Sequence, residues 1–233
     1  MGGALVAVLD QNSEAASKIA GEVGGAAFAC DISSEDQLLQ IAKQIEESVG
    51  GVSVLVNCAG VVQGRTGAYD LPMHKWDDIV RIDQRGTYLS CLAFARAMLD
   101  RRRGSIINIA SVAGMRSMPL HAYAPAKAAV ISMTETLAAE WGPSGIRVNA
   151  VSPGFTMTDR MRAAIEKGMM DPKPLTSTSA LHRLVEPLEV AKAVVFLASD
   201  NASAITGINL PVDCGWLAGT TWSAYGGLSD GTN

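Results

Sequence analysis

The apolar residues of the chain fall into two kinds of segment that alternate from end to end. Short continuous runs, typical of strands buried on both faces of a parallel sheet, lie at 4–9, 26–30, 52–56, 105–110, 146–151 and 207–212. Longer segments with helical spacing lie at 12–23, 34–49, 74–101, 123–141 and 187–199. Strands that alternate with helices pair in parallel through right-handed crossovers. The pattern therefore predicts a doubly wound α/β sheet with helices on both faces.

Local signals refine three regions of this pattern. Ser34 followed by Gln37 predicts a capping box at the start of the helix over 34–49. Pro211 lacks the amide donor that a central strand needs, so the last strand is expected at a sheet edge. The segment 155–185 has no strong periodicity and is long, which predicts a lid or substrate loop. A plain variable surface loop is the alternative interpretation of that segment.

Composition narrows the class of protein and its partners. The 233 residues are 48% apolar and 18% charged with a net charge of −4, which fits one globular domain over 1–233 and argues against nucleic-acid binding. No apolar run reaches the roughly 18 residues of a membrane helix, and no secretion signal is visible. We therefore expect no membrane partner and a cytoplasmic location. The cysteines and histidines show no metal-ligand spacing, so no metal is predicted.

Polar or glycine-bearing groups follow the first five predicted strands. In open parallel sheets, ligands bind beyond the carboxyl ends of the strands, so these groups are candidate site residues. A purely structural sheet would also need turn residues there. The groups are Asp10, Asp31, Asn57-Cys58-Ala59-Gly60, Ser111 and Pro153-Gly154-Phe155-Thr156-Met157-Thr158.

One pair of residues near these strand ends points to proton-transfer chemistry. Tyr123 and Lys127 are four residues apart in a predicted helix and so share one face. A nearby ammonium group favours the phenolate, and we expect it to lower the pKa of the tyrosine from about 10 toward neutrality. Such a tyrosine can move a proton to or from an alcohol or carbonyl, and the hydroxyl of Ser111 can hold the same oxygen. The spacing by itself is a weak signal.

Five segments in a fixed order strengthen this interpretation. They are NCAG at 57–60, INIASVAG at 107–114, YAPAK at 123–127, GIRVNAVSPGFTMT at 145–158 and TGINLPVDCG at 206–215. In these motifs the chain resembles the classical short-chain dehydrogenase/reductase family over nearly its whole length from residue 4. The resemblance implies a Rossmann-like, three-layer α/β/α fold and an NAD(P)-dependent oxidoreductase that acts on alcohol and carbonyl groups.

The resemblance also assigns roles to individual residues. It makes Tyr123 the catalytic acid/base, Lys127 the residue that lowers its pKa and holds the nicotinamide ribose, and Ser111 the residue that positions the substrate oxygen. The other cofactor-binding residues that it implies are Asn57, Ala59 and Gly60 near the adenine-side ribose and central sheet, Pro153, Gly154 and Thr158 along the nicotinamide and pyrophosphate, and Asp31 with Ile32 at the adenine.

Asp10 bears on the choice of cofactor. It follows the strand that matches the second strand of the family, where an acidic residue accepts hydrogen bonds from an adenosine 2′-OH and repels a 2′-phosphate. The next residues are Gln11 and Asn12 rather than Arg or Lys. We therefore expect NAD rather than NADP. The alternative is that Asp10 is only the N-cap of the following helix.

The chain departs from the family at its start. The family has a first strand followed by a glycine-rich T-G-x-x-x-G-x-G turn, and no such turn occurs in these 233 residues. A βα unit of roughly 25–30 residues would be missing, and with it the backbone amides that hold the pyrophosphate. Three explanations of this difference remain open: a start set too far downstream or a truncated clone, a natural short form with weak or no catalysis, and a chain completed by a partner or a rearranged strand. Asp10 and Asn57 would then flank a gap or pair anew.

The second departure is Asp83, where the family usually has Asn. An ionised Asp accepts hydrogen bonds but cannot donate them, and it adds negative charge near Lys127. We count Asp83 among the candidate catalytic residues and expect it to retune proton transfer by partly cancelling the effect of the lysine on Tyr123. A plain helix residue with a local backbone bond is the alternative.

The sequence thus predicts hydride transfer between NAD(H) and a secondary alcohol/ketone pair, with a polyol, sugar or hydroxy compound favoured as substrate. A carbonyl reductase of the 3-oxoacyl type is the rival within the family, and a truncated, weakly active or non-catalytic binding module is the rival outside it. Aromatic residues in the tail 214–233 predict subunit contacts in a homotetramer or homodimer.

Overall fold

The computed structural model describes residues 3–229. All six predicted strands are present within three residues of their expected bounds, and every strand pair is parallel. The strands are β1 (Ala7–Asp10), β2 (Ala26–Ala29), β3 (Val54–Asn57), β4 (Gly104–Ile109), β5 (Ile146–Pro153) and β6 (Asn209–Val212).

The strands form two sheets, whereas the sequence pattern predicted one. β1 pairs with β2, and the other four strands follow the order β3-β4-β5-β6. β6 lies at an edge, as Pro211 predicted. Neither sheet continues from β1 to β3, so the gap expected between Asp10 and Asn57 is present in the described residues. That an additional strand belongs in this gap stays a prediction.

The predicted helices are confirmed, with one change over 74–101. That segment contains two α-helices separated by a π-helical turn, Val80–Gly86. Thr87, the first residue after this turn, donates a hydrogen bond from its hydroxyl to the Asp83 carbonyl at 2.8 Å. The wider turn carries Asp83 inward, which periodicity does not reveal. The first five α-helices in chain order are α1 (Ser13–Val23), α2 (Glu35–Ser48), α3 (Met73–Ile79), α4 (Thr87–Arg101) and α5 (Tyr123–Trp141).

The segment predicted as an irregular loop, 155–185, contains two short helices. They are α6 (Asp159–Glu166) and α7 (Lys173–Thr176), and Thr156 forms an isolated parallel bridge with Val185. Helices of 8 and 4 residues are too short to give a visible period, so the sequence missed them. The chain continues to α8 (Pro187–Ala198) and α9 (Trp216–Gly219).

Helices cover both faces of the larger sheet, so the three-layer architecture is confirmed. Ile106 and Val148 pack with α4 and α5 on one face, and Ile107 and Val151 pack with α8 on the other. Adjacent residues of a strand point to opposite faces, which is why neighbours in β4 join different clusters. α2 packs between α4 and the smaller sheet and joins the two sheets through one apolar cluster.

The capping box predicted at the start of α2 is only half formed. Ser34 accepts a hydrogen bond from the Gln37 amide at 3.5 Å. The Gln37 side chain accepts from the backbone amide of Asp31 at 3.0 Å instead of returning to Ser34. Gln37 therefore ties the helix to the end of the preceding strand. Within residues 3–229, no helix is both long enough and apolar enough to cross a membrane.

Candidate active site

The carboxyl ends of β3 and β4 meet the first turns of α5. Gly114, in the loop after β4, makes this meeting close: a Cβ added there would lie 2.7 Å from the Ala128 nitrogen and the Lys127 carbonyl carbon. Only glycine lets the loop backbone approach the helix to this distance. The loop that begins with Ser111 is thereby packed against the helix that carries Tyr123 and Lys127.

Ser111 begins a short 3₁₀ turn immediately after β4. Its Oγ accepts a hydrogen bond from the Ala113 amide at 3.1 Å, so the turn holds the hydroxyl in place. This bond uses the oxygen as an acceptor and leaves the hydroxyl proton available for donation. The side chain is partly buried and neighbours the Tyr123 phenol. Ser111 can therefore donate a hydrogen bond to an oxygen that lies next to Tyr123.

Lys127 is buried beneath Tyr123 on the inner face of α5. Its Nζ donates to the Ile109 carbonyl at 3.0 Å and lies 5.6 Å from the centroid of the Tyr123 ring. The same Nζ lies 3.3 Å from Oδ2 of Asp83. The predicted pair on one helix face is thus present, with Asp83 as a third member.

Asp83 is held from two sides. Its Oδ1 accepts a hydrogen bond from the Val61 amide at 2.7 Å, and a Cβ added at Gly60 would lie 3.0 Å from its Oδ2. Burial raises the pKa of the Asp83 carboxyl above its ordinary value, and the Lys127 charge and the Val61 amide oppose this. The alternative of a helix residue with only local bonds does not describe these contacts, because they join α5 and the loop after β3.

The pKa of Tyr123 departs from the expectation that Lys127 lowers it. Burial raises the pKa of the phenol to about 12, the Ser111 hydroxyl lowers it, and the negative charge of Asp83 raises it. The expectation was wrong in direction because it ignored desolvation, which disfavours the charged phenolate. The expected opposition of Asp83 to Lys127 agrees in direction, because the negative charge of Asp83 raises the pKa of Tyr123.

Gln63 is a contact residue that the sequence did not indicate. Its Oε1 accepts from the backbone amides of Ala122 at 2.8 Å and Tyr123 at 3.4 Å, at the start of α5. The side chain is buried, and it satisfies amides that a helix start leaves without partners. The two partners are about 60 residues apart in the chain, so no local pattern marks this contact. Gln63 fixes the turn that carries Tyr123.

Asp10 ends β1 with an exposed carboxylate. Its Oδ1 accepts from the Asn12 amide at 2.8 Å. The N-cap of α1 is Asn12, whose side chain accepts from the amides of Glu14 and Ala15, both at 3.0 Å. The alternative that Asp10 caps this helix is therefore wrong. Oδ2 of Asp10 has no partner among the described residues, so it can accept hydrogen bonds from a ligand.

Asp31 and Ile32 follow β2, and both side chains contact other residues of the protein. Oδ1 of Asp31 accepts from the amide and the hydroxyl of Ser33 at 2.9 and 2.7 Å, and Oδ2 lies 3.8 Å from Arg81. The Ser33 hydrogen bonds, with a smaller contribution from Arg81, lower the pKa of Asp31. Ile32 packs against Gly86, where a Cβ would lie 3.0 Å from its side chain. Asp31 is therefore held as an ionised carboxylate.

The end of β3 is partly buried, and the first residues of the loop that follows it are exposed. The Asn57 amide nitrogen donates to Asn108 Oδ1 at 2.8 Å and lies 3.2 Å from Cys91 Sγ, so this side chain links β3 to β4. Ala59 and Gly60 are exposed. Among the three residues predicted near the adenine-side ribose, the side chain of Asn57 is thus directed into the sheet.

The segment after β5 is shaped by one glycine. A Cβ added at Gly154 would lie 2.8 Å from the Cα of Asp213, so the strand end requires glycine where it meets the end of β6. Pro153 ends β5, and Thr158 caps α6 by accepting from the Met161 amide at 3.3 Å. The predicted segment therefore lies at the carboxyl edge of the larger sheet. No cluster of metal-ligating side chains occurs among residues 3–229.

Comparisons with known proteins agree with this geometry. The chain matches the family model described as enoyl-(acyl carrier protein) reductase over residues 1–217. A D-threitol dehydrogenase of Mycolicibacterium smegmatis is 36% identical over 221 residues, covering 92% of this chain and 84% of that protein.

Two solved structures extend the comparison. One, from Brucella melitensis 16M and named as a ribose-5-phosphate isomerase, is 52% identical with a TM-score of 0.93, covering 97% of this chain and 88% of that one. The other, an NAD⁺-bound xylitol dehydrogenase, is 30% identical with a TM-score of 0.84, covering 90% of this chain and 88% of that one. With a family model matched over most of its length and dehydrogenase relatives above 30% identity, the chain belongs to the short-chain dehydrogenase/reductase family.

Proposed function

We propose that this protein is an NAD(P)-dependent oxidoreductase that interconverts a secondary alcohol and a ketone. The observation that carries the proposal is the packing of the Ser111 loop against Tyr123 and Lys127 at the carboxyl edge of the larger sheet. A polyol, sugar or other hydroxy compound is the favoured substrate, because the similar proteins include threitol and xylitol dehydrogenases. The segment 155–185, which carries α6 and α7, is proposed as the substrate lid.

The roles of the residues follow from their contacts. Ser111 donates a hydrogen bond to the substrate oxygen and keeps its proton, and Tyr123 accepts the alcohol proton during oxidation or returns it during reduction. Lys127 is fixed by its bond to the Ile109 carbonyl and supplies positive charge under the phenol. Gln63 keeps the first turn of α5 in place. Bound NAD(H) would accept or supply the hydride.

The residues present fit two ends of this cofactor. Tyr123, Lys127 and the segment with Pro153, Gly154 and Thr158 would hold the nicotinamide half. Asp10, whose Oδ2 has no partner among the described residues, would accept from the adenosine ribose and favours NAD over NADP. The proposed cofactor-binding set is completed by Ala59, Gly60, Asp31 and Ile32. The Asn57 side chain is directed into the sheet, so its proposed role is the indirect one of linking β3 to β4.

Hydride transfer can be tested by following NADH absorbance with a panel of threitol, xylitol, sugars and hydroxy acids, each with NAD and with NADP. We expect turnover of at least one polyol or sugar with NAD, and a loss of roughly 100-fold or more in Tyr123→Phe. Tyr88→Phe, on α4, is the matched control and should keep full activity. Ribose 5-phosphate belongs in the panel, with and without cofactor. Isomerisation of it without NAD, unaffected by Tyr123→Phe, would contradict the proposal.

A weakly active or non-catalytic binding module is the second candidate. The observation that favours it is the gap between β1 and β3 within residues 3–229, where no described backbone turn is placed to hold a pyrophosphate. Titration of the chain with NADH, followed by fluorescence, separates the two. We expect weak binding, with a Kd of roughly 1 mM, and turnover at saturating cofactor. Binding without turnover of any substrate would favour the module.

We also propose that the protein is cytoplasmic and assembles as a homodimer or homotetramer. The four cysteines are free thiols, which suits a reducing compartment. Exposed aromatic side chains of Trp222 and Tyr225 in the tail support subunit contacts. Light scattering measures the mass in solution, and a monomer at micromolar concentration would contradict the assembly.

A further inference from the structure

Asp83 is a fully buried carboxyl group directly behind the proposed catalytic pair. Its side chain has 0% exposure, and its Oδ2 lies 3.3 Å from Lys127 Nζ, whose side chain is 5% exposed. The Val61 amide holds Oδ1, and the backbone at Gly60 lies against Oδ2. The carboxyl group is thereby confined, and its distance from Lys127 is set by the fold.

The contact between Asp83 and Lys127 is ionic rather than a well-directed hydrogen bond. Oδ2 accepts no hydrogen bond from any residue in the described range. Lys127 directs its hydrogen bond to the Ile109 carbonyl on β4 instead. The carboxylate therefore acts on the site mainly through its charge, which is weakly screened at a buried position.

We propose that Asp83 is a positioning residue that offsets the positive charge of Lys127 beneath Tyr123 and confines proton transfer by Tyr123 to alkaline pH. The inference rests on the proposed role of Tyr123. The charged groups that face the Tyr123 ring are Lys127 on α5 and Asp83 on the π-helical turn, and the Ser111 hydroxyl from the end of β4 is neutral. An ammonium paired with a carboxylate carries no net charge, so it gives a phenolate little stabilisation. Alkaline conditions also favour alcohol oxidation, which releases a proton.

Asp83→Asn tests this inference without relying on turnover. The variant keeps the size of the side chain and an oxygen for the Val61 amide, but it removes the charge. Phenolate absorbance during a pH titration reports tyrosine ionisation. The contribution of Tyr123 is the difference between each protein and the same protein carrying Tyr123→Phe, which cancels the other three of the four tyrosines. We expect the pKa of Tyr123 to fall by roughly one unit or more in Asp83→Asn.

Activity measurements and a control complete the design. The acid limb of the kcat–pH profile should move to lower pH in Asp83→Asn, whereas Asp77→Asn, at an exposed position on α3, should change neither readout. If Asp83→Asn fails to fold, Asp83→Ser also removes the charge and should lower the pKa of Tyr123 in the same direction.

The outcomes separate the inference from the proposed function. A Tyr123 titration unchanged in the folded variant overturns the inference. A shifted titration in a protein that oxidises no alcohol supports the inference and contradicts the proposed function. An active enzyme with an unchanged pH profile in Asp83→Asn contradicts the inference alone.

Discussion

The two sheets of this protein are built from the same kind of strand but are stabilised to different degrees. In the larger sheet, β4 and β5 are buried along almost their whole length. In the smaller sheet no residue is fully buried: β1 is partly buried up to its exposed last residue, Asp10, and β2 alternates between partly buried and exposed positions. The difference lies in what covers them. β4 and β5 have a strand on each side and helices on both faces, whereas each strand of the smaller sheet has a neighbour on one side only.

The proposed chemistry divides along the same boundary. Ser111, Tyr123, Lys127 and Asp83 all depend on the larger sheet and its helices. Asp10 and Asp31, proposed for the adenosine end of the cofactor, belong to the smaller sheet. A cofactor that reached both would have to cross the gap between β1 and β3. The more deeply buried sheet therefore holds the groups proposed to react, and the less buried sheet holds the groups proposed to give affinity and cofactor choice.

Deleting one side chain from each sheet should show the largest difference. Ile107→Ala removes a fully buried side chain packed against α8 and should cost about 4 kcal/mol of unfolding free energy. Leu9→Ala, in the half-buried β1, should cost about 1–2 kcal/mol. Urea denaturation measures both. Equal losses would show that the two sheets are packed alike.

Amide hydrogen exchange should be faster at β1 and β3, the strand edges on the two sides of the gap, than at β5 inside the larger sheet. The amide of Ala26 bonds to the Val6 carbonyl and that of Cys30 to the Asp10 carbonyl, so the alternating backbone groups of Ala7 and Leu9 point away from β2. By the same alternation, Val54 and Val56 point away from β4. We expect these amides to exchange roughly 100-fold faster than those of β5, read out by mass spectrometry or NMR. Comparable protection would mean that the edges are covered in solution.

Sequence patterns predicted the fold well where the burial of a single helix or strand determines its own pattern of apolar residues. Continuous apolar runs identified β4 and β5, and regular spacing identified α2 and α5, because burial on known faces fixes those patterns. The break between the sheets was anticipated from a motif absent from the chain rather than from any property of β1 or β3. The π-helical turn around Asp83 was not predicted, because one wider turn inside a long helical segment changes the spacing of apolar residues too little to be recognised.

The sequence predicted which residues form the candidate site, but not how their surroundings change the pKa of Tyr123. Motif order placed Ser111, Tyr123 and Lys127 together, and the structure agrees. The pKa of Tyr123 moves in the opposite direction to the expectation, because desolvation depends on how deeply the phenol is packed. The contact of Gln63 with the start of α5 likewise arises only when the chain folds back over about 60 residues. Such quantities belong to the tertiary structure, so no local pattern carries them.

The smallest predicted effect on stability concerns the contact of α2 with α4 and with the segment before β3, here called the joint between the two sheets. Glu46, on α2, accepts from the amide of Val52 at 2.9 Å and forms a bidentate pair with Arg101 of α4 at 2.6 and 3.1 Å. Burial raises the pKa of Glu46, but the hydrogen bonds from Arg101 and Val52 outweigh it, so the net pKa is lowered. A carboxyl with a lowered pKa stabilises the fold above its unfolded value near 4.5, and this stabilisation disappears as pH falls through the folded value.

Glu46→Gln should therefore cost about 1 kcal/mol at pH 7, because solvent partly screens the pair. The cost should shrink as pH falls below the unfolded value near 4.5 and vanish below the lowered pKa of the folded state. Glu47→Gln is the matched control, because Glu47 pairs with Lys43 at 3.8 Å on the exposed face of the same helix and should contribute little. Urea denaturation across pH measures the free energy, and exchange at β1 and β2 reports on the joint. If Glu46→Gln loosens the smaller sheet while β4 and β5 keep their protection, the pair holds the two sheets together. Equal loosening of both sheets would assign Glu46 to the stability of the whole fold instead.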